Sequence, residues 1–114
     1  MLPLKNRLKN KKDFEKVFKQ GKGFKEDFLF LKVNKNNLKE SRFGFIVSLR
    51  VSKKAVLRNR VKRRLREIIK ENLPKIRKGR DCVLIVQRSI RKKGFPEIKE
   101  ATANLLKKAK ILND

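Results

Sequence analysis

The sequence predicts an α+β fold, a small two-layer sandwich in which helices cover a mainly antiparallel sheet. Apolar residues recur at helical spacing in three segments, and apolar runs of strand length lie between those segments. Glycine, proline and asparagine separate the two kinds of segment. The order is helix, strands, helix, strand, helix, and we expect one domain spanning residues 1–114.

The first half of the chain is predicted to hold one helix and at least two strands. The helix begins after an N-cap at Asn10 and ends before Gly21, which is a typical residue just past a helix end. Strands are predicted at 27–33 and 42–48, with the second antiparallel to the first. A further short strand around 23–25 stays open.

The second half is predicted to hold a helix, a buried strand and a closing helix. The helix starts near Lys53 and ends before Pro74, because the residue preceding a proline avoids the helical region. The continuous apolar run within 79–88 indicates a central strand that is covered on both faces. After a basic loop, Pro96 fits the first turn of a helix over 95–112.

The charge balance indicates a polyanionic partner. Lysine and arginine number 35 against 11 acidic residues, which gives a net charge of +24. Such a chain repels itself, and binding to a polyanion relieves that repulsion. The candidate polyanions are nucleic acid and an anionic membrane surface, and each phosphate that a cation neutralises also releases a counterion.

The residue inventory argues against a catalytic protein. The chain has no histidine, and Cys82 is its one cysteine, so histidine-based catalysis, Cys/His zinc sites and internal disulfides are excluded. We find no carboxylate pair and no phosphate-binding glycine loop. No stretch has the pattern of a signal peptide or membrane span, and we expect a cytoplasmic protein that binds no metal by itself.

The most basic segment is "KKAVLRNRVKRRLRE", from Lys53 to Glu67, in which eight of fifteen residues are basic. On a helical wheel its apolar residues share one side and its charges occupy the rest. A solvated face and a membrane-surface helix are the competing interpretations. The run lacks an acid before Glu67 and lacks interfacial aromatics, and it is rich in arginine, which binds phosphate with two donors. These features favour contact with nucleic acid by Lys53, Lys54, Arg58, Asn59, Arg60, Lys62, Arg63, Arg64 and Arg66.

This segment resembles the protein subunit of bacterial ribonuclease P. Arg58-Asn59-Arg60 followed by Lys62-Arg63 is similar to the Arg-Asn-Arg signature of that family. The upstream "GFIVS" is similar to the strand that precedes the signature, and "LKNRLKNKKDFEKVFKQG" to the N-terminal arm and first helix. The turn "LRVSKKAVL" departs from the Gly-Asn pair that many members carry there.

The resemblance implies that the chain works with a large catalytic RNA that removes the 5′ leader of precursor tRNA. The RNA would do the chemistry with Mg²⁺, and the protein alone would be inactive. The signature residues would contact the catalytic RNA near its active centre. The basic arm, residues 1–9, is expected to be flexible without a partner and carries Lys5, Arg7 and Lys9.

The resemblance also implies a cleft for the single-stranded leader between the first helix and the sheet. Its candidates are Phe14 and Phe18 on the helix, and Phe28, Phe30 and Lys32 on one face of the first strand. Bases stack on aromatic rings while cations follow the backbone, which tolerates many leader sequences. The competing interpretation is that these phenylalanines are core residues.

Other RNA- and DNA-binding classes are weighed against this one. A ribosomal-type protein that only stabilises folded RNA shares the composition. A DNA-binding helix–turn–helix is disfavoured, because strands directly precede the basic helix. We therefore expect RNA partners, namely the catalytic RNA and precursor tRNA, and neither DNA nor a membrane.

Overall fold

The computed structural model describes residues 2–113 of the chain. The helices are α1 (Lys11–Gln20), α2 (Ala55–Asn72) and α3 (Phe95–Lys108), and the strands are β1 (Lys22–Glu26), β2 (Leu29–Lys35), β3 (Arg42–Ile46) and β4 (Arg80–Val86). Short 3₁₀ turns lie at Leu4–Asn6, Leu73–Lys75 and Arg88–Lys92. The α+β class and the predicted element order are confirmed. Within the described residues, no helix is long and apolar enough to cross a membrane.

The four strands form one mixed sheet in the order β1, β2, β4, β3. β2 pairs antiparallel with β1 and β4, whereas β3 pairs parallel with β4. The expected pairing of β3 with β2 is therefore wrong, because β4 lies between them. Parallel neighbours need a long crossover, and the 18-residue α2 supplies it.

Helices cover both faces of the sheet to different extents. α2 and α3 pack on the face that carries Cys82 and Leu84, and this side contains the main core. α1 packs on the opposite face against Val83, with a small apolar cluster of its own. The single α1 leaves part of that second face accessible. Alternation along β4 explains the two faces, since successive side chains point to opposite sides.

The predicted strand at 27–33 begins two residues too early. Asp27 and Phe28 form the two-residue turn of the β1–β2 hairpin, with Asp27 in the left-handed region at φ 53°. Asp is one of the few residues that tolerate this conformation, whereas the alternation rule assumes extended backbone throughout. The turn breaks the alternation, so Phe28 does not share a face with Phe30.

The N-terminal segment, residues 2–9, is packed against the domain, and its flexibility without a partner stays a prediction. Leu2 and Leu8 are buried, and Leu8 N–H donates to the Phe43 carbonyl at 3.0 Å. The Asn6 side chain donates to the Ser41 carbonyl at 2.8 Å. These contacts cover the exposed edge of β3, which would otherwise present unpaired backbone groups. Met1 lies outside the described residues.

The closing helix ends earlier than predicted. α3 stops at Lys108, and Lys110 adopts a left-handed conformation at φ 56°. The turn points Ile111 into the main core and brings Leu112 into a bridge with Ile76. The apolar periodicity that continues to Leu112 therefore reflects burial, and not helix.

Candidate RNA-binding surfaces

α2 separates its apolar and cationic residues as the sequence predicts. Leu65, Ile68 and Ile69 are buried against the sheet. Residues four apart lie on the same side of a helix, so the cations divide into strips along the remaining surface. Arg58, Lys62 and Arg66 form one strip, Arg60 and Arg64 another, and Asn59 and Arg63 lie between them.

The strip of Arg58, Lys62 and Arg66 is half-buried towards β3. The Arg66 guanidinium lies 5.9 Å from the centroid of the Phe45 ring. Arg58 Nη1 donates a hydrogen bond to the Ser52 carbonyl at 2.9 Å. Arg58 thus holds the turn before α2 in addition to presenting positive charge, whereas Asn59 and Arg63 are exposed.

Ser52 organises the turn that departs from the family pattern. Its side chain is 9% exposed, and its hydroxyl oxygen accepts a hydrogen bond from Lys54 N–H at 3.1 Å. Together with the Arg58 bond, this closes the turn without the Gly-Asn pair. Lys53 and Lys54 are exposed at the start of α2.

The other face of the sheet carries an apolar row beside α1. Phe30, Ile85 and Ile46 are paired across β2, β4 and β3 and form one line over three strands. All three are half-exposed. We call these three residues the sheet row. Phe18 on α1 is 37% exposed. Phe18 and the sheet row lie on the side of the sheet where the sequence predicts the leader cleft, and that cleft stays a prediction.

α1 is held over the neighbouring row, which consists of Lys32, Val83 and Gly44. A Cβ atom on Gly44 would lie 2.4 Å from Cζ of Phe14, so only glycine lets the ring pack this closely. Val17 is fully buried in the same cluster. Lys32 Nζ donates to the Phe18 carbonyl at 3.0 Å, near the negative end of the helix.

Phe28 was predicted to line the cleft and does not. It is 1% exposed in the main core, on the α2–α3 side of the sheet. The turn at Asp27 is the reason. Of the other four cleft candidates, Phe18 lies on α1, and Phe30 and Lys32 lie on the face of the sheet that α1 covers. Phe14 is half-buried beneath α1.

An ion-pair network fastens α1 and β3 to the central strand. Arg42 donates two hydrogen bonds to the Asp81 carboxylate, at 2.8 and 2.7 Å, and its Nη1 lies 3.3 Å from Asp13. Asn36 donates a third bond to Asp81 at 2.8 Å. The Asp81 hydrogen bond raises the pKa of Arg42. The buried Asp81 is therefore fully compensated.

The described residues offer no metal site of their own. Among residues 2–113 no group of three or more Asp, Glu, Cys or His side chains comes together. Asp13 and Asp81 are both engaged by Arg42. Cys82 is buried, and this burial raises the pKa of its thiol and keeps it protonated.

Comparison with known proteins identifies the family. The family model described as Ribonuclease P matches residues 2–110. The chain belongs to the ribonuclease P protein family. It is 39% identical over 114 residues to the ribonuclease P protein component of Pseudanabaena sp., covering 99% of this chain and 98% of the relative.

Solved ribonuclease P proteins have the same fold. The protein from Staphylococcus aureus superposes with a TM-score of 0.88 at 28% identity, covering 95% of this chain and 98% of that one. The protein from Thermotoga maritima gives 0.82 at 34% identity, covering 90% and 96%. As a ribonuclease P protein, the chain takes part in tRNA 5′ processing as a component of a ribonucleoprotein.

Several residues that shape the surfaces of this ribonuclease P protein escaped the sequence analysis. Ile46 and Ile85 lie inside the predicted strands, but their alignment with Phe30 depends on pairing partners that are distant in sequence. Gly44 carried a usable signal, since a glycine between two phenylalanines within a strand often marks a close approach. The Arg42–Asp81 pair is 39 residues apart and gave no local signal.

Proposed function

We propose that this ribonuclease P protein binds two RNA segments at once, the catalytic RNA on α2 and the precursor-tRNA leader in the cleft. One observation carries the proposal: the basic helix and the sheet row lie on opposite faces of one four-stranded sheet. Two RNA segments can therefore be bound at the same time without competing for the same protein surface. The alternative of a ribosomal-type protein accounts for the basic helix but gives the half-exposed row no role.

The α2 surface suits a folded RNA. Its cations lie in strips that extend over about three turns, and arginine binds phosphate with two donors. By family resemblance, Arg58, Asn59, Arg60, Lys62 and Arg63 would contact the catalytic RNA. The partial burial of Arg58 and Arg66 orders these side chains before binding, which reduces the entropy lost when they bind phosphate.

The cleft suits an unpaired leader of variable sequence. Phe18 and Phe30 present rings on which bases can stack, and the aliphatic residues of the sheet row extend the floor. Stacking contributes about 1–3 kcal/mol per base and accepts every base, because each has a π-face. Lys32 donates a hydrogen bond to the Phe18 carbonyl. It would therefore support the wall of the cleft and add positive charge near its opening.

In this proposal the RNA carries the chemistry. Mg²⁺ bound by the catalytic RNA would activate water and stabilise the leaving oxygen. The chain supplies positive charge and position, because its described residues contain no acid cluster for a metal. Protein alone would then not cleave precursor tRNA. A cytoplasmic site of action follows from the same partners.

The test is precursor-tRNA cleavage by a bacterial ribonuclease P RNA at low Mg²⁺, with and without this chain. Substrates carry leaders of increasing length, and protein without RNA is the control. We expect cleavage to be restored by the chain and the effect to grow with leader length, because more bases reach the cleft. Cleavage by protein alone would contradict the assignment of chemistry to the RNA.

The leader dependence separates the two proposed surfaces. Restored cleavage that is independent of leader length would leave the α2 contact in place and remove the cleft assignment. Tight binding to structured RNA without any restored cleavage would favour the ribosomal-type alternative.

A further inference from the structure

A second groove runs between the start of α2 and the 3₁₀ turn at Arg88–Lys92, and we call it the Arg88 groove. We propose that an unpaired segment of the catalytic RNA lies in it, with its phosphates on the cationic rim and a base against the aliphatic floor. This inference rests on the proposed function and extends the RNA contact from Arg60 to the 3₁₀ turn. The sequence predicts most of this turn as a basic loop, with Arg88 at the end of the preceding strand.

The groove consists of three adjoining cavities. The first, of about 470 Å³, lies between the turn before α2 and Arg88. The second, of about 610 Å³, is lined by the 3₁₀ turn itself, and the third, of about 260 Å³, continues along α2 past Arg60 and Arg64. Arg91 lines all three, which places them next to one another around its side chain.

The floor is aliphatic and partly open to solvent. Leu57 is half-exposed and lines two of the cavities, while Ile90 lies beneath it in the core. Leu49 is 66% exposed at the edge of the first cavity. Exposure of a leucine side chain to water is unfavourable, so covering it with a base stabilises the complex.

The rim is cationic and lacks neutralising acids. No Asp or Glu lines any of the three cavities. Within residues 2–113, the guanidinium groups of Arg88 and Arg91 have neither a hydrogen bond nor an ion pair. Both side chains are therefore available to bind phosphate.

The closed end of the groove limits its length. Lys93 lines the third cavity but lies 3.7 Å from both Asp27 and Glu97. These acids reduce the attraction for phosphate at that end. The phosphate path therefore extends from Arg50 and Lys53 past Arg88 and Arg91 to Arg60.

Charge and position identify the occupant. The rim matches phosphate, and the aliphatic floor requires a base that is free to turn inward, which a paired base in a duplex is not. The groove shares Arg60 and Arg64 with α2, whose surface we assign to the catalytic RNA. The leader cleft lies on the opposite face of the sheet. The catalytic RNA is therefore the proposed occupant of the Arg88 groove.

The test compares R88Q/R91Q with K75Q/R77Q, which removes the same charge near the far end of α2. Binding of each full chain to ribonuclease P RNA is measured from 0.1 to 1 M salt. The loss of two phosphate contacts should reduce the slope of log K against log salt concentration by about 1.4. The loss of affinity relative to the unsubstituted chain should then be about 25-fold larger at 0.1 M than at 1 M salt. The control pair should change affinity by about twofold or less, since distant charges are screened.

A third variant tests the floor. L49S removes an exposed apolar side chain without removing charge, so affinity should fall by a few-fold while the salt slope stays constant. Unchanged affinity of L49S would overturn the claim that a base lies against the aliphatic floor of the groove. Equal losses in the two charge-removal pairs would overturn the groove as a site, because only net charge would then matter.

Two further comparisons isolate this inference from the proposed function. The triple variant R58Q/R60Q/R63Q should lose affinity whether or not the groove is a site. If it does not, the proposed function fails together with the inference. A loss in R88Q/R91Q that appears only with leader-bearing substrate would place the leader in the groove and overturn the occupant that we propose.

Discussion

Gly44→Ala tests whether the position of α1 on the sheet determines the shape of the leader cleft. The added Cβ would lie 2.4 Å from Cζ and 2.6 Å from Cε1 of Phe14. Carbon atoms pack at about 3.5–4.0 Å, so the ring must retreat by about 1.1 Å or more. Because Phe14 is on α1, the helix moves with it, and so does Phe18.

Gly44→Ala should lower both the stability of the chain and its affinity for the leader. Overpacking a small apolar cluster lowers the free energy of unfolding by about 1–3 kcal/mol. A displacement of α1 also weakens stacking in the cleft, and a loss of about 1 kcal/mol corresponds to about fivefold weaker leader binding. The contact of α2 with the catalytic RNA should not change, since α2 lies on the other face of the sheet.

The assay measures the ratio of affinities for precursor and mature tRNA with the reconstituted ribonucleoprotein. Urea unfolding of the chain is measured in parallel. Gly94→Ala is the matched control, because its nearest neighbour would be 3.7 Å away, an ordinary contact. The double variant Gly44→Ala/Phe14→Leu should recover part of both losses, since leucine lacks Cε1 and Cζ.

The reasoning is refuted by a loss of stability with an unchanged affinity ratio. That result would mean that α1 can shift without altering the leader site. Failure of Phe14→Leu to recover stability would show that the cost of the added methyl group arises at another contact.

Three further predictions concern single side chains. Phe18→Ala should weaken binding of leader-bearing precursor by about 1–3 kcal/mol and leave binding of mature tRNA unchanged, and equal losses would return Phe18 to the core. Arg42→Gln should lower the free energy of urea unfolding by about 3 kcal/mol because it leaves the buried Asp81 short of partners, whereas Asp13→Asn should cost about 1 kcal/mol or less. Cys82 has a raised pKa, so the folded thiol stays protonated while the unfolded thiol ionises above its ordinary value of 9.0. Stability should therefore fall as pH rises above 9.0, by up to about 1.4 kcal/mol per unit, and the fall should be smaller in Cys82→Ala; identical pH profiles would contradict this.

The helices could be predicted closely because their signals are local. Gly21 and Pro74 mark the ends of α1 and α2 through backbone conformations that depend only on neighbouring residues. The separation of apolar and cationic sides on α2 likewise follows from the 3.6-residue period. The cationic side of α2 was therefore visible in the sequence, and the resemblance to the ribonuclease P family rested on this stretch together with "GFIVS" and the N-terminal segment.

The cleft required contacts that no local pattern encodes. The sheet row depends on the register of β2, β4 and β3, and the sequence predicted β3 beside β2 instead of β4. Phe28 and Phe30 look equivalent by alternation, but a left-handed Asp27 sends Phe28 into the main core. The N-terminal segment was expected to be flexible because its charges are obvious, whereas its packing depends on the distant edge of β3.

The sequence alone thus determined the element types, the basic helix and the class of partner, since these follow from periodicity, helix-end residues and net charge. Tertiary structure decided which aromatic residues reach the surface, which strand occupies the centre of the sheet and which cations remain without an acid. These outcomes arise from strand pairing and packing between residues far apart in the chain. Arg88 and Arg91 show the difference: the sequence predicts the first at a strand end and the second in a basic loop, and only the fold places both beside the start of α2.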